Sequence, residues 1–292
     1  MRLSTNAARS PGVWLTMATA LMAEPNYHHQ TGTWLLTMPE GSGSFDHLPP
    51  VNDVPTPEVL PSLPDGTQLD LFERTDMSDP DSVGGRVWRG AGEMCRWLRD
   101  EHELVHGTTV LELGAGTGAS GLYAGCIGAS HVLMTDGGPQ EVVDNLAVNI
   151  DRHNGRFPPA TTAAAASYRF GDEPLPAGEF ELVIGSDITY SVREDRDALC
   201  RTLVPLLTRG ARVVMAHEHR RSTMFDVEAS RENVPAATWE ENDYALQLFL
   251  EAADENGLRV EPLNTRFGSR AVDADGVVHM TLDLSILEVA LK

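Results

Sequence analysis

One stretch limits what this chain can become: VLELGAGTG over residues 110–118, followed by VLMTD over 132–136. An apolar run that ends in an acid and opens into glycines at alternate positions, Gly114, Gly116 and Gly118, predicts a buried parallel strand turning into a helix. Glycine costs backbone entropy. Three within five residues make sense where the chain must take φ > 0 or where a ligand comes against bare backbone. The amides that open the next helix, from Thr117 onward, suit an anionic group. Asp136 ends the following apolar run, 24 positions after Glu112, where a carboxylate can accept both hydroxyls of a ribose.

Two cofactors fit that pattern. Gly116, Gly118 and Gly121 formally complete GxGxxG with an acid about 20 residues on, the dinucleotide fingerprint. Against it, a dinucleotide turn puts its first glycine directly after the strand, whereas here Gly114 holds that place and Glu112 carries a charge at the strand's end. A carboxylate has little to do beside a pyrophosphate. Beside S-adenosylmethionine, which carries an ammonium and a sulfonium, it has an electrostatic reason to exist. A tight strand-to-helix packing turn with no ligand is the plainer alternative.

Around this turn the chain alternates strand and helix. The expected strands are 110–113, 131–136, 167–170, 181–187 and 211–217, with two more closing the chain. The expected helices are 84–100, 117–127, 140–150, 194–207 and 239–256, with Pro205 bending the end of the fourth. Such alternation means an α/β fold with a doubly wound, mostly parallel seven-stranded sheet. Ligands in such sheets bind beyond the carboxyl ends of the strands. Glu112, Asp136, Asp172 and Asp187 all fall at or just past such ends, so one crevice is expected to gather four carboxylates. Like charges that close call for something cationic or donor-rich. No metal is expected: close DxD or HxxxE spacing is missing, and His217, Glu218 and His219 read as a strand end and a polar loop.

Residues 1–65 are rich in Pro, Ser, Thr and Gly and read as a low-complexity, mostly disordered extension without stable helix or sheet, ahead of a folded domain over 66–292. Order is expected to begin near Gln68, with LDLF over 69–72 as a short strand. Arg2, Arg9 and an apolar patch over 13–22 leave a targeting peptide within residues 1–23 as an organellar alternative to a cytoplasmic location. No apolar run reaches the length of a membrane span. The formal net charge is −21, and Lys292 is the sole lysine among 22 basic residues. Such a chain is repelled by phosphate backbones, so direct nucleic-acid binding is disfavoured, while basic protein surfaces are drawn to it. Cys95, Cys126 and Cys200 are widely spaced and read as reduced core thiols. A monomer is expected.

Six segments resemble the seven-β-strand protein-lysine methyltransferases of family 16: VWRGA (87–91), VLELGAGTGASGL (110–122), LMTD (133–136), NLAVN (145–149), LVIGSDITY (182–190) and AHEHR (216–220). The glycine turn by itself says class I methyltransferase, with S-adenosylmethionine as cofactor. The DITY match to the family's DxxY narrows it. The resemblance implies that Trp88 and the turn at Gly114, Gly116 and Gly118 contact the cofactor, that Asp136 binds its ribose, and that Ser186 and Asp187 line its pocket. Phe170 stands where many members place a tryptophan against adenine, and Asp172 matches the carboxylate that meets the adenine amino group. Tyr190 is implied to face the incoming amine. Members modify lysines of chaperones, translation elongation factors, calmodulin or an AAA ATPase, so a protein substrate is implied.

Methyl transfer from a sulfonium is an in-line displacement, and the enzyme has mainly to align, desolvate and hold a neutral amine. Asp187 and Tyr190, one turn past the same strand, are the candidate catalytic pair. Three other functions stay open: a class I methyltransferase acting on a small molecule or another protein residue, a non-catalytic S-adenosylmethionine-binding scaffold, and a nicotinamide-dependent oxidoreductase. Acceptor choice is expected to lie in loops 221–238 and 264–276, whose residues carry no readable code.

Overall fold

The computed structural model describes residues 27–28, 33–36, 60–73, 84–189, 193–219, 243–268, 270–272, 278–280 and 283–292. Seven strands form the main sheet: β3 (Thr109–Leu113), β4 (His131–Asp136), β5 (Thr162–Ser167), β6 (Leu182–Ser186), β7 (Arg212–Glu218), β8 (Leu258–Arg266) and β11 (Leu284–Leu291). Their order across the sheet is β5-β4-β3-β6-β7-β11-β8. β3, β4, β5, β6 and β7 pair in parallel, and β11 runs antiparallel to both its neighbours. The strand order reverses at β3, between β4 and β6. That is the point at which a doubly wound sheet opens a crevice at its carboxyl edge.

Period-two alternation splits the core. β3 sends Val110 to one face and Leu111 and Leu113 to the other. On the first face lie α1 (Arg89–Asp100), α3 (Ala119–Cys126) and α4 (Gln140–His153), whose Met94, Leu98, Leu122, Tyr123 and Leu146 are fully buried. The other carries α5 (Arg193–Thr208) and α6 (Tyr244–Glu255), with Leu199, Leu203 and Phe249 facing Val183, Val213 and Met215. A short helix α2 (His102–Val105) links α1 to β3. α5 runs on to Thr208, with Pro205 in its last turn.

The structure departs from the sequence reading in three places. LDLF forms no strand. Instead it lies extended on α4, where Asn149 Oδ1 accepts from the Phe72 N–H (2.7 Å) and His153 Nε2 accepts from the Asp70 N–H (3.2 Å). Side chains rather than a neighbouring strand satisfy its backbone. The third strand of the domain is Thr162–Ser167 and not 167–170: its TAAAAS run has poor strand propensity and is ordered by pairing residue for residue with β4. Past its end Tyr168 leaves the sheet, its hydroxyl 3.2 Å from Thr202 Oγ1. Finally, a separate antiparallel sheet joins β1 (Tyr27–His28), β2 (Thr33–Leu36), β9 (Arg270–Val272) and β10 (Val278–Met280) in the order β1-β2-β10-β9. The expectation of no sheet within residues 1–65 therefore fails at TWLL, a β-branched and aromatic run that pairs with β10. Among the described residues no helix is long and apolar enough to cross a membrane.

Candidate functional site

The glycine turn leaves β3 in a left-handed path, with φ of 63° at Gly114, 53° at Gly116 and 82° at Gly118, the N-cap of α3. A Cβ would lie 2.5 Å from Ile188 Cγ2 at Gly114, 2.8 Å from the Gly84 carbonyl oxygen at Gly116, and 2.3 Å from Leu146 Cδ1 at Gly118. The protein itself fills the space beside each glycine. Positive φ and close packing therefore account for a glycine at all three.

The four expected carboxylates do not share one environment. Glu112 is buried, and its Oε2 accepts from the Gly121 N–H (2.9 Å) in the first turn of α3. The acceptor that meets an amide of that helix start is thus Glu112 itself. Burial pushes the Glu112 carboxyl up to about 8, against bonds from Gly121 and Ser120 that pull it down; the nearby Asp136 charge adds to the rise. The sequence reading expected something cationic or donor-rich beside these acids, and backbone amides donate to both Glu112 and Asp136. Asp136 is half-buried and clamps the turn: Oδ2 accepts from the Gly116 N–H and Oδ1 from the Gly138 N–H, both at 2.8 Å. Asp172 stands exposed in the turn after β5, outside any buried cluster.

Asp187 follows β6 with φ 60°, the one non-glycine with positive φ among the described residues. It is 3 % exposed, its N–H donates to the Ala216 carbonyl (2.8 Å), and its Oδ1 accepts from the Glu218 N–H (3.2 Å). The side chain lies against the first turn of α1, where a Cβ on Gly90 would sit 3.2 Å from Asp187 Cβ. A left-handed aspartate is tolerated because its short side chain finds a local backbone donor.

Two contacts at this edge escaped the sequence reading. Ser120 Oγ lies 3.0 Å from Ser186 Oγ and also bonds Glu112, so Ser186 connects through Ser120 to the buried carboxyl. Arg89 Nη1 donates to Glu218 Oε1 at 2.9 Å in an ion pair whose side chains are 8 % and 3 % exposed. The partners are 129 positions apart. The signal available was a single arginine in VWRGA, and nothing in that spacing points to Glu218.

Trp88 is the half-buried N-cap residue of α1, its carbonyl accepting from the Ala91 N–H (3.0 Å). Phe170 is half-buried on the α5 side, its Cζ 3.5 Å from the position of a Cβ on Gly114. The structure thus brings Glu112, Asp136, Ser186, Asp187 and Phe170 to the glycine turn and the strand ends beside it, and leaves Asp172 exposed on the turn after β5. Tyr190 and loop 221–238 lie outside the described residues.

Residues 64–227 match a protein family described as lysine methyltransferase. The chain belongs to this lysine methyltransferase family. Among similar proteins, the protein N-terminal and lysine N-methyltransferase efm7 of Aspergillus fumigatus is 30 % identical over 120 residues, 38 % of this chain and 46 % of that protein. EFM7 of Eremothecium gossypii is 32 % identical over 148 residues, 47 % of this chain and 56 % of that protein. EEF1A lysine methyltransferase 3 of Mus musculus is 32 % identical over 111 residues, 37 % of this chain and 44 % of that protein. This lysine methyltransferase family member spans about half the length of the relatives it matches.

Proposed function

We propose that this chain is an S-adenosylmethionine-dependent N-methyltransferase whose acceptor is an amine on another protein, first of all a lysine side chain. One observation carries the reading: the family match over 64–227 falls on a chain whose Glu112, Asp136 and Asp187 lie at or just past the carboxyl ends of neighbouring strands. The donor set suits the cofactor. Each Asp136 oxygen accepts one amide and keeps a lone pair for a ribose hydroxyl. Glu112, neutral by burial, regains its charge beside a cation, so a sulfonium or ammonium and the carboxylate stabilise each other.

When bound, the cofactor supplies a methyl group on a sulfonium with a neutral leaving group. This chain's residues supply the rest. Phe170 would stack on the adenine and Asp172 would meet its amino group, while Trp88, the backbone at Gly114, Gly116 and Gly118, and Ser186 would line the rest of the pocket. A lysine amine, with an ordinary pKa near 10.4, must shed a proton before its lone pair can attack, and burial near a cation favours that loss. Asp187 would accept a hydrogen bond from the amine and hold it in line, with Tyr190 as the second residue to orient it. Relatives named as N-terminal and lysine methyltransferases favour a second acceptor, the protein α-amine, which with its pKa near 8 deprotonates more easily.

The net charge of −21 favours a basic acceptor surface. A translation elongation factor is the first acceptor to try, since one relative is named for EEF1A. Chaperones follow, by the family resemblance. Titration calorimetry with S-adenosylmethionine and S-adenosylhomocysteine, then labelled methyl transfer into lysate with mass spectrometry of the product, tests the reading. Binding of both followed by label on a lysine or α-amine supports it. Binding without any labelled protein points to a small-molecule acceptor or a scaffold, and no binding of either overturns the reading.

A further inference from the structure

We propose that His217, His219 and Asp243 form a binding site for one divalent transition-metal ion, zinc(II) by preference, at the seam between the main sheet and the start of α6. The sequence reading assigned these histidines to a strand end and a loop. In the fold they converge on a third residue 24 positions further on. His217 is in β7 and His219 just beyond it, two apart and so on one side of the chain. His217 Nε2 and His219 Nδ1 each lie 2.8 Å from the same atom, Asp243 Oδ2, and the ligand atoms of the three residues all fall within 4.8 Å of one another. The rings stand nearly perpendicular, at 82°, with centroids 5.0 Å apart. The imidazoles thus approach one point from two directions instead of stacking.

What surrounds the cluster resembles the outer layer of a built metal site. Asp243 Oδ1 is committed to capping α6 by accepting from the Leu246 N–H (3.1 Å), which leaves Oδ2 as a single ligand oxygen. Each histidine's other nitrogen has a hydroxyl partner: His217 Nδ1 lies 2.7 Å from Thr189 Oγ1, and His219 Nε2 lies 2.7 Å from Ser285 Oγ, itself 2.9 Å from Thr265 Oγ1. Partners of that kind set the tautomer and aim the ligating nitrogen. An independent observation points the same way. His219, 6 % exposed, has its Nδ1 buried 2.8 Å from Asp243 Oδ2 but poorly aligned for a hydrogen bond to it. A buried polar atom in that position is costly unless something takes its lone pair.

Two imidazole nitrogens and one carboxylate oxygen make a set for zinc, with a fourth position left for water. Metal bonds of about 2.0–2.1 Å in a tetrahedral arrangement set nitrogen and oxygen about 3.3 Å apart, so the carboxylate has to retreat by roughly half an ångström. The ion would tie β7, β11 and α6 together and, through Thr189, steady the turn that carries Asp187. Its presence does not depend on the methyltransferase reading.

The test uses the full chain, with any affinity tag removed, purified with zinc and without chelator. Metal analysis should find about one zinc per chain after gel filtration. Stripping by chelator and returning one equivalent of zinc should raise the thermal midpoint by roughly 5 °C. Cobalt(II) added to the stripped chain should give the visible absorption of a four-coordinate ion. His219→Asn should lose the cobalt spectrum and the zinc-induced shift, and Asp243→Asn, which keeps a capping oxygen, should weaken both. Stoichiometric iron(II) in place of zinc would support the site and correct the ion. Sub-stoichiometric metal together with an unmoved midpoint in the unsubstituted chain overturns the proposal, as does a His219→Asn variant that responds to zinc like the parent.

Discussion

The two sides of the sheet's carboxyl rim are built on different principles. On the β3 and β4 side the turn is held by backbone: left-handed glycines, amides donating to Glu112 and Asp136, and side chains packed where a Cβ would go. On the β6 and β7 side it is held by side chains: the buried Arg89–Glu218 pair, the Thr189 and His217 bond, and Asp187 propped by the Glu218 amide. Backbone construction tolerates little change of residue at the turn but makes few long-range demands. Side-chain construction concentrates its cost in buried charges that each need a partner.

That contrast is sharpest at Arg89. Arg89→Met leaves a carboxylate 3 % exposed without its guanidinium, which should destabilise the chain by about 3–5 kcal/mol. The double variant Arg89→Met with Glu218→Leu should recover most of that loss, because two apolar side chains of similar volume can replace a buried pair. Urea unfolding of the two single variants and the double one measures this as a coupling energy. If the double variant is no more stable than the singles, this side of the rim is not charge-limited.

On the opposite side the corresponding weakness is a proton. Glu112 sits at about 8 in the folded chain against an ordinary 4.5, so between those values the folded state keeps a proton that the unfolded state has released. Its contribution to stability is therefore complete below about pH 4.5 and lost as pH rises to about 8, a change on the order of a few kcal/mol. Glu112→Gln, which cannot ionise, should flatten this fall, read as urea midpoints at pH 5, 7 and 9. Binding of a cationic ligand should show the opposite trend, tightening as pH rises toward 8. A pH-independent difference between parent and Gln variant would mean that Glu112 does not titrate in this interval.

Next in size is Gly118→Ala. A Cβ there would enter the space of Leu146 Cδ1 from a backbone at φ 82°, so strain and overpacking together should cost about 2 kcal/mol. The same test at Gly210, also left-handed at φ 95° but with open space around it, should cost less. Equal losses at the two positions would mean that conformation alone, without packing, sets the requirement at the turn.

How much of each side was legible follows from the same difference. The turn is local: the apolar run, the acid and the glycines lie within nine residues, and Asp136 closes the next strand, so β3, β4 and the left-handed path could be read directly from 110–136. Even there the cause was hidden, because the contacts of Gly116 with Gly84 and of Gly118 with Leu146 join distant segments. The β6 and β7 side joins residue 89 to 218, 189 to 217 and 217 to 243, and no periodicity encodes such pairs. The edge strand TAAAAS was missed for a related reason. Alanine says little about strands, and only the register with β4 makes it one.

The smallest change in stability should accompany the largest change in chemistry, and that separates scaffold from site on the side-chain half. Asp187→Asn keeps the volume, tolerates φ 60° and retains an oxygen to accept the Glu218 N–H, so the unfolding free energy should stay within about 0.5 kcal/mol of the parent. What it removes is the negative charge proposed to hold the acceptor amine. Methyl transfer should therefore fall by two orders of magnitude or more, while S-adenosylmethionine affinity, which we assign mainly to Asp136 and Glu112 on the other half, should change by less than about threefold. Calorimetry and single-turnover labelling on one preparation measure both. A variant that binds cofactor poorly would place Asp187 with the backbone-built half, and one that turns over normally would make it a capping residue whose unusual backbone serves the fold alone.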